Sequence, residues 1–392
     1  MKMKRRTRKR LLSAVCVVIC AVMLTFSGAV RGSADEVRSP ALDLECTSAI
    51  LMEAQTGQIL YALNEDQALP PASVTKVMTL LLVMEAIEDK KINYTDMVSA
   101  SEHACSMGGS QIFLEEGEQM SVDDLLKSVV IASANDAAVT LAEYVAGTEE
   151  AFVEMMNSKA AELGMENTHF ENTNGLDDTT QNHVISAKDI AIMSRELIKY
   201  PKITEYSSIW MDTIRNGEFG LTNTNRLIRF YKGATGLKTG STAKAGFCVS
   251  ATAERDGMTL IAVIMGAKGR DERNRSAVAL LNYGFSNYAL FRNSERQPVR
   301  IPVVRGKTSI CGAEEDDLVV VVEKKQSSKV ERKVDIAERI YAPVKSGAQV
   351  GTVTYSVQGK ILGTTRILST QDIEQVGLLD IFLRIMAKMT FC

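Results

Sequence analysis

Hydrophobic and polar positions follow several different rhythms along this chain, and each predicts its own element. An unbroken apolar run from Leu11 to about Phe26 comes first. Alternation over Thr47–Ala54 and Gly57–Ala62 predicts two short strands around a turn at Gln55-Thr56-Gly57. Pro70-Pro71 then stops the chain, and a long apolar run of helix formers predicts a buried helix from Ser73 to about Lys90. Helical sequence covers Ser121 to Val145, with a Ser121-x-x-Asp124 capping pattern, and residues 151–163 read as a helix ending at Gly164. A polar loop, Asn167 to Asn182, leads to a helix over Ala187–Ile198. Strands follow at Ala245–Ala253 and Met258–Gly266, and a helix at Asn274–Tyr288. Strands, then a helical block, then strands predict an α+β fold with helices packed on an antiparallel sheet.

The rhythm changes at Phe291-Arg292-Asn293-Ser294-Glu295. Beyond Pro298 the pattern is of strands: Val299–Val304, Leu318–Glu323, Lys329–Ile336, Gly351–Val357 and Lys360–Thr365, separated by Gly, Ser and Asp. A small all-β domain is expected there. From Ile373 to Cys392 the period is helical again. Asp380, Arg384 and Lys388 form a narrow polar strip, and Val376, Leu379, Phe382, Leu383, Ile385, Met386 and Met389 cover most of the rest. Such a helix is too short and too charged to span a bilayer but suits its interface; docking on the β domain is the alternative. The expected organisation is a signal peptide (1–34), a main domain (35–293), a β-rich domain (294–372) and an amphipathic membrane-associating helix (373–392).

Charge sharpens the amino-terminal reading. Seven of the first ten residues that precede the apolar run are Lys or Arg, and Gly32-Ser33-Ala34 closes it, which is the layout of a secretory signal cleaved after Ala34. An uncleaved anchor is the alternative, since Leu11 to Val30 could just cross a bilayer. Removing the eight basic residues of 1–34 takes the formal charge from −3 to −11, so the exported protein carries no basic footprint for nucleic acid. Five cysteines follow residue 34 with no CxxC spacing, which fits neither a disulfide framework nor a zinc site. No metal or cofactor is expected.

Candidate chemistry begins in the turn after the two prolines. Ser73 and Lys76 lie three apart, which puts hydroxyl and amine on one helix face. Burial there would favour the neutral amine, a base able to activate a serine. The pair alone is weak, because Ser-x-x-Lys arises about once or twice by chance in a chain of this length, and it recurs at Ser241–Lys244. A Ser-His-Asp triad has little support: there are three histidines (His103, His169, His183) and no Gly-x-Ser-x-Gly. Two further elements stand out, Ser133-Ala134-Asn135 between helical stretches and Lys238-Thr239-Gly240 at the start of a strand.

Ser-x-x-Lys, Ser-x-Asn about sixty residues on and Lys-Thr-Gly about a hundred beyond that are the ordered signature of the penicillin-recognising serine enzymes. With Gly109-Ser110-Gln111-Ile112-Phe113-Leu114 and Asn174-Gly175-Leu176-Asp177 added, residues 45–290 resemble the low-molecular-mass penicillin-binding proteins of the D-alanyl-D-alanine carboxypeptidase type. That resemblance implies a β-lactamase/transpeptidase-like domain, with helices on both sides of an antiparallel sheet and a helical subdomain. It also implies a serine carboxypeptidase that trims the terminal D-alanine from peptidoglycan pentapeptide stems, limits cross-linking and is inhibited covalently by β-lactams. Ser73 would be the acylated nucleophile, Lys76 its proton acceptor and Ser133 the relay to the leaving D-alanine. Asn135 would hold the acyl-side amide. Lys238, Thr239 and Arg273 would bind the terminal carboxylate, with Arg270 and Arg275 as neighbours of Arg273. Ser73 and Ser241 would supply the oxyanion N–H groups. The protein would act outside the cytoplasmic membrane, held peripherally to its outer face. A β-lactamase is the first rival, but no Glu-x-x-Leu-Asn loop lies between Asn135 and Lys238. A non-catalytic wall-binding or penicillin-sensing module is the second.

Overall fold

The computed structural model describes residues 42–390, apart from 179, 295 and 297. The expected signal peptide and its cleavage site lie outside the described residues.

A five-stranded antiparallel sheet forms the centre of the main domain. Its strands are β1 (Ser48–Glu53), β2 (Ile59–Leu63), β3 (Ala234–Thr242), β4 (Gly246–Arg255) and β5 (Met258–Ala267), in the order β2-β1-β5-β4-β3. The inner strands read as nearly continuous apolar runs because both of their faces are covered. On β5, Ile261, Val263 and Met265 join one core and Leu260, Ala262 and Ile264 the other. The first core is helical: α1 (Lys76–Glu88), α2 (Val122–Lys127), α3 (Asn135–Ala146), α4 (Glu149–Glu162) and α5 (Ala187–Leu197) all contribute to it. Helix α1 is buried almost all round, from Lys76 to Met84 without a break. That is why its sequence shows no polar face. The second core is closed by α6 (Arg270–Asn287), through Ala277, Leu280, Leu281 and Phe285.

Two departures from the sequence pattern shape the site. The helical pattern over 121–145 is not one helix. Ser121 caps α2 by accepting from Asp124 N–H at 3.1 Å, a π-turn covers Ser128–Ala132, and Ser133 then turns left-handed at φ +64° before α3 begins. The expected first helix is likewise split, into a 3₁₀ turn at Ala72–Thr75 and α1 proper. Periodicity could not show either break, because Val129, Val130 and Ile131 carry the apolar pattern through the π-turn and the 3₁₀ turn runs directly into α1.

Strand β6 (Tyr288–Arg292) leads out of α6 and pairs with β9 (Val319–Glu323). The hydrogen bonding therefore sets in with the carboxy-terminal strands slightly before the composition shift at 291–295. A six-stranded sheet follows, built from β7 (Val299–Val304), β8 (Ile310–Glu315), β10 (Glu331–Ile336), β11 (Ile340–Tyr341), β12 (Gln349–Val357) and β13 (Lys360–Ser369) in the order β10-β12-β13-β8-β7-β11. Strand β8, with its two glutamates and a glycine, lacked the alternation that revealed the others. Buried Glu315 ties this region together, accepting from Asn293 Nδ2 at 2.9 Å, Tyr355 OH at 2.7 Å and Arg332 at 2.9 Å.

The terminal helix α7 spans Leu378–Thr390, five residues later than the pattern suggested. Ile373 is 2% exposed and bridges Val344, so it belongs to the β-domain core and not to the helix. Leu378, Leu379, Phe382, Leu383 and Met389 are exposed on α7. No helix among the described residues is long and apolar enough to cross a membrane.

Candidate active site

Three elements carry the serines, lysines and asparagine of the motifs to one place: the 3₁₀ turn ahead of α1, the junction before α3, and edge strand β3. Lys76 is fully buried at the head of α1, and its Nζ lies 2.9 Å from Ser73 Oγ, 2.5 Å from Asn135 Oδ1 and 2.7 Å from Asn174 O. The orientation of Asn135 is fixed, because its Nδ2 donates to the carbonyl of Gly108 at 2.6 Å. Asn135 Oδ1 and Asn174 O can only accept. As an ammonium Lys76 donates to all three, Ser73 Oγ included. As a neutral amine it keeps two hydrogens for Asn135 Oδ1 and Asn174 O, and its lone pair can accept from the Ser73 hydroxyl. Charge agrees with the geometry. Burial, and after it the charge of Lys238, hold Lys76 well below the usual lysine range, opposed by Asp136. The pair is a hydroxyl within hydrogen-bond distance of an amine whose surroundings disfavour its charged form.

Asp136 is itself buried, and its carboxylate accepts from Ile112 N–H and Leu114 N–H, each at 3.1 Å. Asn135 N–H donates to Ser110 O at 2.7 Å. The Gly109–Leu114 segment is thus bonded to the head of α3, as one wall beside the lysine. Ser133 sits at the same junction, 4% exposed, in the left-handed conformation already noted.

Strand β3 supplies the other wall. Lys238 is 1% exposed and donates to Thr239 O at 2.9 Å; Thr239 Oγ donates to Thr224 Oγ at 2.8 Å. Burial, then Arg273, bring Lys238 down to about 7. Gly240 is required by close approach: a Cβ there would lie 2.7 Å from Ser73 N and 2.9 Å from Pro71 O. Ser241, next along the strand, is exposed. Arg273 is the buried arginine of its group, 3% exposed, with Cys248 O at 3.5 Å from one of its terminal nitrogens. Cys248 pairs with Gly240 across the strands, so Arg273 reaches toward the Lys-Thr-Gly end. Arg275 instead pairs with Glu45 and Glu272 at the surface.

Sequence reasoning passed over the contributions made by backbone and by the polar loop. Asn174 serves through its carbonyl, which no residue type announces. Gly175, at φ +84°, lets the loop touch the turn that carries Ser73: a Cβ would fall 1.9 Å from Ala72 O. Lys244, part of the chance Ser-x-x-Lys repeat, donates to Asp177 O at 2.6 Å and so fastens the β3–β4 turn to the same loop. His183 is buried behind the turn, with Nε2 2.8 Å from Thr75 Oγ and Nδ1 accepting from Glu171 N–H at 3.0 Å.

Burial pushes His183 down to about 4 from an ordinary value of 6.5. A depressed histidine contributes stability above its unfolded pKa and loses it as pH falls toward the folded one, here between about 6.5 and 4. The full depression corresponds to roughly 3 kcal/mol. The thermal midpoint of the wild type is therefore expected to drop across that interval more steeply than that of His183→Gln. Parallel curves for the two proteins would contradict it.

Comparison with known proteins places this geometry in context. A family described as D-alanyl-D-alanine carboxypeptidase matches residues 34–269, and one described as penicillin-binding protein 5, C-terminal domain, matches residues 287–375. The D-alanyl-D-alanine carboxypeptidase DacF of Bacillus subtilis is 40% identical over 389 residues, 97% of this chain and 99% of that protein. Penicillin binding protein 5 from Haemophilus influenzae has a similar crystal structure, with a TM-score of 0.75 at 32% identity over 86% of this chain and 99% of that one. Penicillin-binding protein D2 from Listeria monocytogenes, in its ampicillin-bound form, matches 63% of this chain and all of its own (100%), with a TM-score of 0.58 and 32% identity.

Proposed function

The chain belongs to the D-alanyl-D-alanine carboxypeptidase family of penicillin-binding serine enzymes, and from that premise we propose how its own residues divide the reaction. The substrate is a peptidoglycan stem ending in D-Ala-D-Ala. Ser73 Oγ attacks the carbonyl carbon of the penultimate D-alanine while its proton passes to Lys76 Nζ. Negative charge collects on the carbonyl oxygen and is met by the N–H groups of Ser73 and Ser241. Collapse breaks the peptide C–N bond, and the leaving D-alanine takes its proton through the Ser133 hydroxyl. Water then attacks the Ser73 ester, the shortened stem leaves, and Ser73 regains a proton. The observation that carries this reading is the 2.9 Å contact between Ser73 Oγ and the fully buried Lys76 Nζ, whose other partners, Asn135 Oδ1 and Asn174 O, can only accept.

Lys238, Thr239 and Arg273 receive the terminal carboxylate. Its negative charge favours the charged form of Lys238, which burial and Arg273 bring down to about 7. Asn135 has a modified part: with Oδ1 on Lys76 and Nδ2 on Gly108 O, it positions the base, and it meets the acyl-side amide only from that fixed orientation. A β-lactam enters the same chemistry with its leaving nitrogen still tethered in the opened ring, which blocks the approach of water. The test is mass spectrometry of the penicillin-treated protein together with D-alanine release from a pentapeptide. The adduct is expected on the peptide containing Ser73, with a lifetime of minutes or longer. An adduct on another residue, or rapid turnover of the antibiotic, would refute the assignment.

The protein works in the cell envelope. The exported form is proposed to sit peripherally on the outer face of the cytoplasmic membrane through α7, supported by the exposed apolar side chains of that helix. Ile373 must be spared in testing this, because it is part of the β-domain core. Deleting 378–392 is expected to release the protein from membranes with carboxypeptidase activity unchanged. Continued sedimentation with the membrane fraction would assign the attachment to the amino terminus instead.

A further inference from the structure

The buried histidine behind the nucleophile turn has no part in the reaction just described, yet its hydrogen bonds lead to the nucleophile. Ala72, the residue before Ser73, has φ +51°, a left-handed conformation that a residue with a Cβ adopts at a cost of about 1 kcal/mol. Something must hold it there. The Thr75 hydroxyl donates to Ala72 O at 2.8 Å, and His183 Nε2 lies 2.8 Å from the same hydroxyl oxygen.

Every proton in this chain is fixed by one backbone group. Glu171 N–H can only donate, so His183 Nδ1 must accept and the ring proton resides on Nε2. Nε2–H then donates to Thr75 Oγ, and the single hydroxyl hydrogen of Thr75 is left for Ala72 O. The ring is 6% exposed, and Phe170 packs against it edge to face at 5.8 Å, so it is not free to turn.

The peptide plane carries the consequence to the site. In a trans peptide the carbonyl and the following N–H point in opposite directions. Holding Ala72 C=O toward Thr75 therefore turns Ser73 N–H away from it. Gly240 of the edge strand comes close to that N–H, with a virtual Cβ 2.7 Å from Ser73 N.

We propose that His183 is a positioning residue for acylation: as the neutral Nε2–H tautomer it locks Thr75 onto Ala72 O, and so aims the Ser73 N–H that receives the oxyanion. This rests on the assignment of Ser73 as nucleophile and oxyanion donor. The side chains whose charges face the ring are Glu171, Asp177 and His169. Protonating Nδ1 would set it against Glu171 N–H and release the turn.

The test compares the rate of acylation by a fluorescent penicillin in four proteins. His183→Leu breaks the chain and should slow acylation about 10- to 100-fold, with its noncovalent affinity for the penicillin nearly unchanged, as for a misaimed transition-state donor. His183→Gln can accept from Glu171 N–H and donate to Thr75, and should stay within about fivefold of wild type. Below about pH 4 the wild type should show a protonation-linked loss of acylation that the Gln variant lacks. Thr75→Val leaves the ring in place and should match His183→Leu, with the double variant no slower than either. If His183→Leu does not fold, as judged by circular dichroism, Thr75→Val carries the test alone. Wild-type rates in the Leu and Val variants, additive losses in the double variant, or a Gln variant as slow as Leu would each overturn the proposal. Ser73→Ala separates it from its premise: acylation persisting there sinks the nucleophile assignment, whereas a dead Ser73→Ala beside a normal His183→Leu sinks only the role of His183.

Discussion

Lys76→Met should slow acylation of Ser73 by roughly 100- to 10,000-fold at neutral pH, the range for removal of a positioned general base, while Ser73→Ala abolishes it. The reason is local. Lys76 Nζ lies 2.9 Å from Ser73 Oγ, and no other amine lies in hydrogen-bond contact with that hydroxyl among the described residues. Lys76→Arg should not rescue the rate, since a guanidinium stays protonated and offers no lone pair. Neither variant needs to unfold, because methionine fills the volume of the buried stem; far-ultraviolet circular dichroism would establish that. The measurement is pre-steady-state incorporation of a fluorescent penicillin. A Lys76→Met protein that acylates within a few-fold of wild type would eliminate lysine as the base and transfer attention to Ser133 and Lys238.

Gly175→Ala is expected to be the most damaging single methyl in the protein. Its Cβ would lie 1.9 Å from Ala72 O and 2.8 Å from Thr75 Oγ, at φ +84°. Either the Ala72–Ser73 peptide must rotate, which redirects the nucleophile turn, or the loop must retreat, which draws Asn174 O away from Lys76. Acylation should fall about 100-fold, and stability by about 2–4 kcal/mol from overpacking and the left-handed backbone together. Gly147→Ala is the control. It has a similar φ of +89° but nothing within 4 Å of the added methyl. It should lose about 1 kcal/mol and acylate normally. Equal activity in the two variants, measured by penicillin incorporation and thermal melting, would show that the contact with Ala72 is unimportant.

These two predictions draw on different sources. Lys76 was legible in the sequence: a serine and lysine three apart at the head of an apolar run already specified hydroxyl, amine and burial. Gly175 stood in a recognisable motif, but its function lies in its contact with a carbonyl about a hundred residues away in sequence. Ser133 shows the same limit. Its motif marked it, yet the left-handed turn that separates it from α3 was hidden, since Val129, Val130 and Ile131 carry the helical apolar pattern through the π-turn. Strand β8 and the late start of α7 were missed for a related reason. Glu315 and Ile373 are placed by partners distant in sequence, and local alternation does not register them.

The sequence by itself determined most of the elements, the two-part organisation and the residue types that the motifs bring into the candidate site. Those follow from periodicity and from ordered motifs, which are local properties. The tertiary structure alone decided which partners surround each polar group. Asn135 Oδ1 and Asn174 O meet Lys76 beside Ser73, and one N–H of Glu171 orients His183, Thr75 and Ala72 in turn. Directionality of this kind depends on acceptors brought in from distant segments, and an acceptor supplied by a backbone carbonyl leaves no mark in the order of side chains.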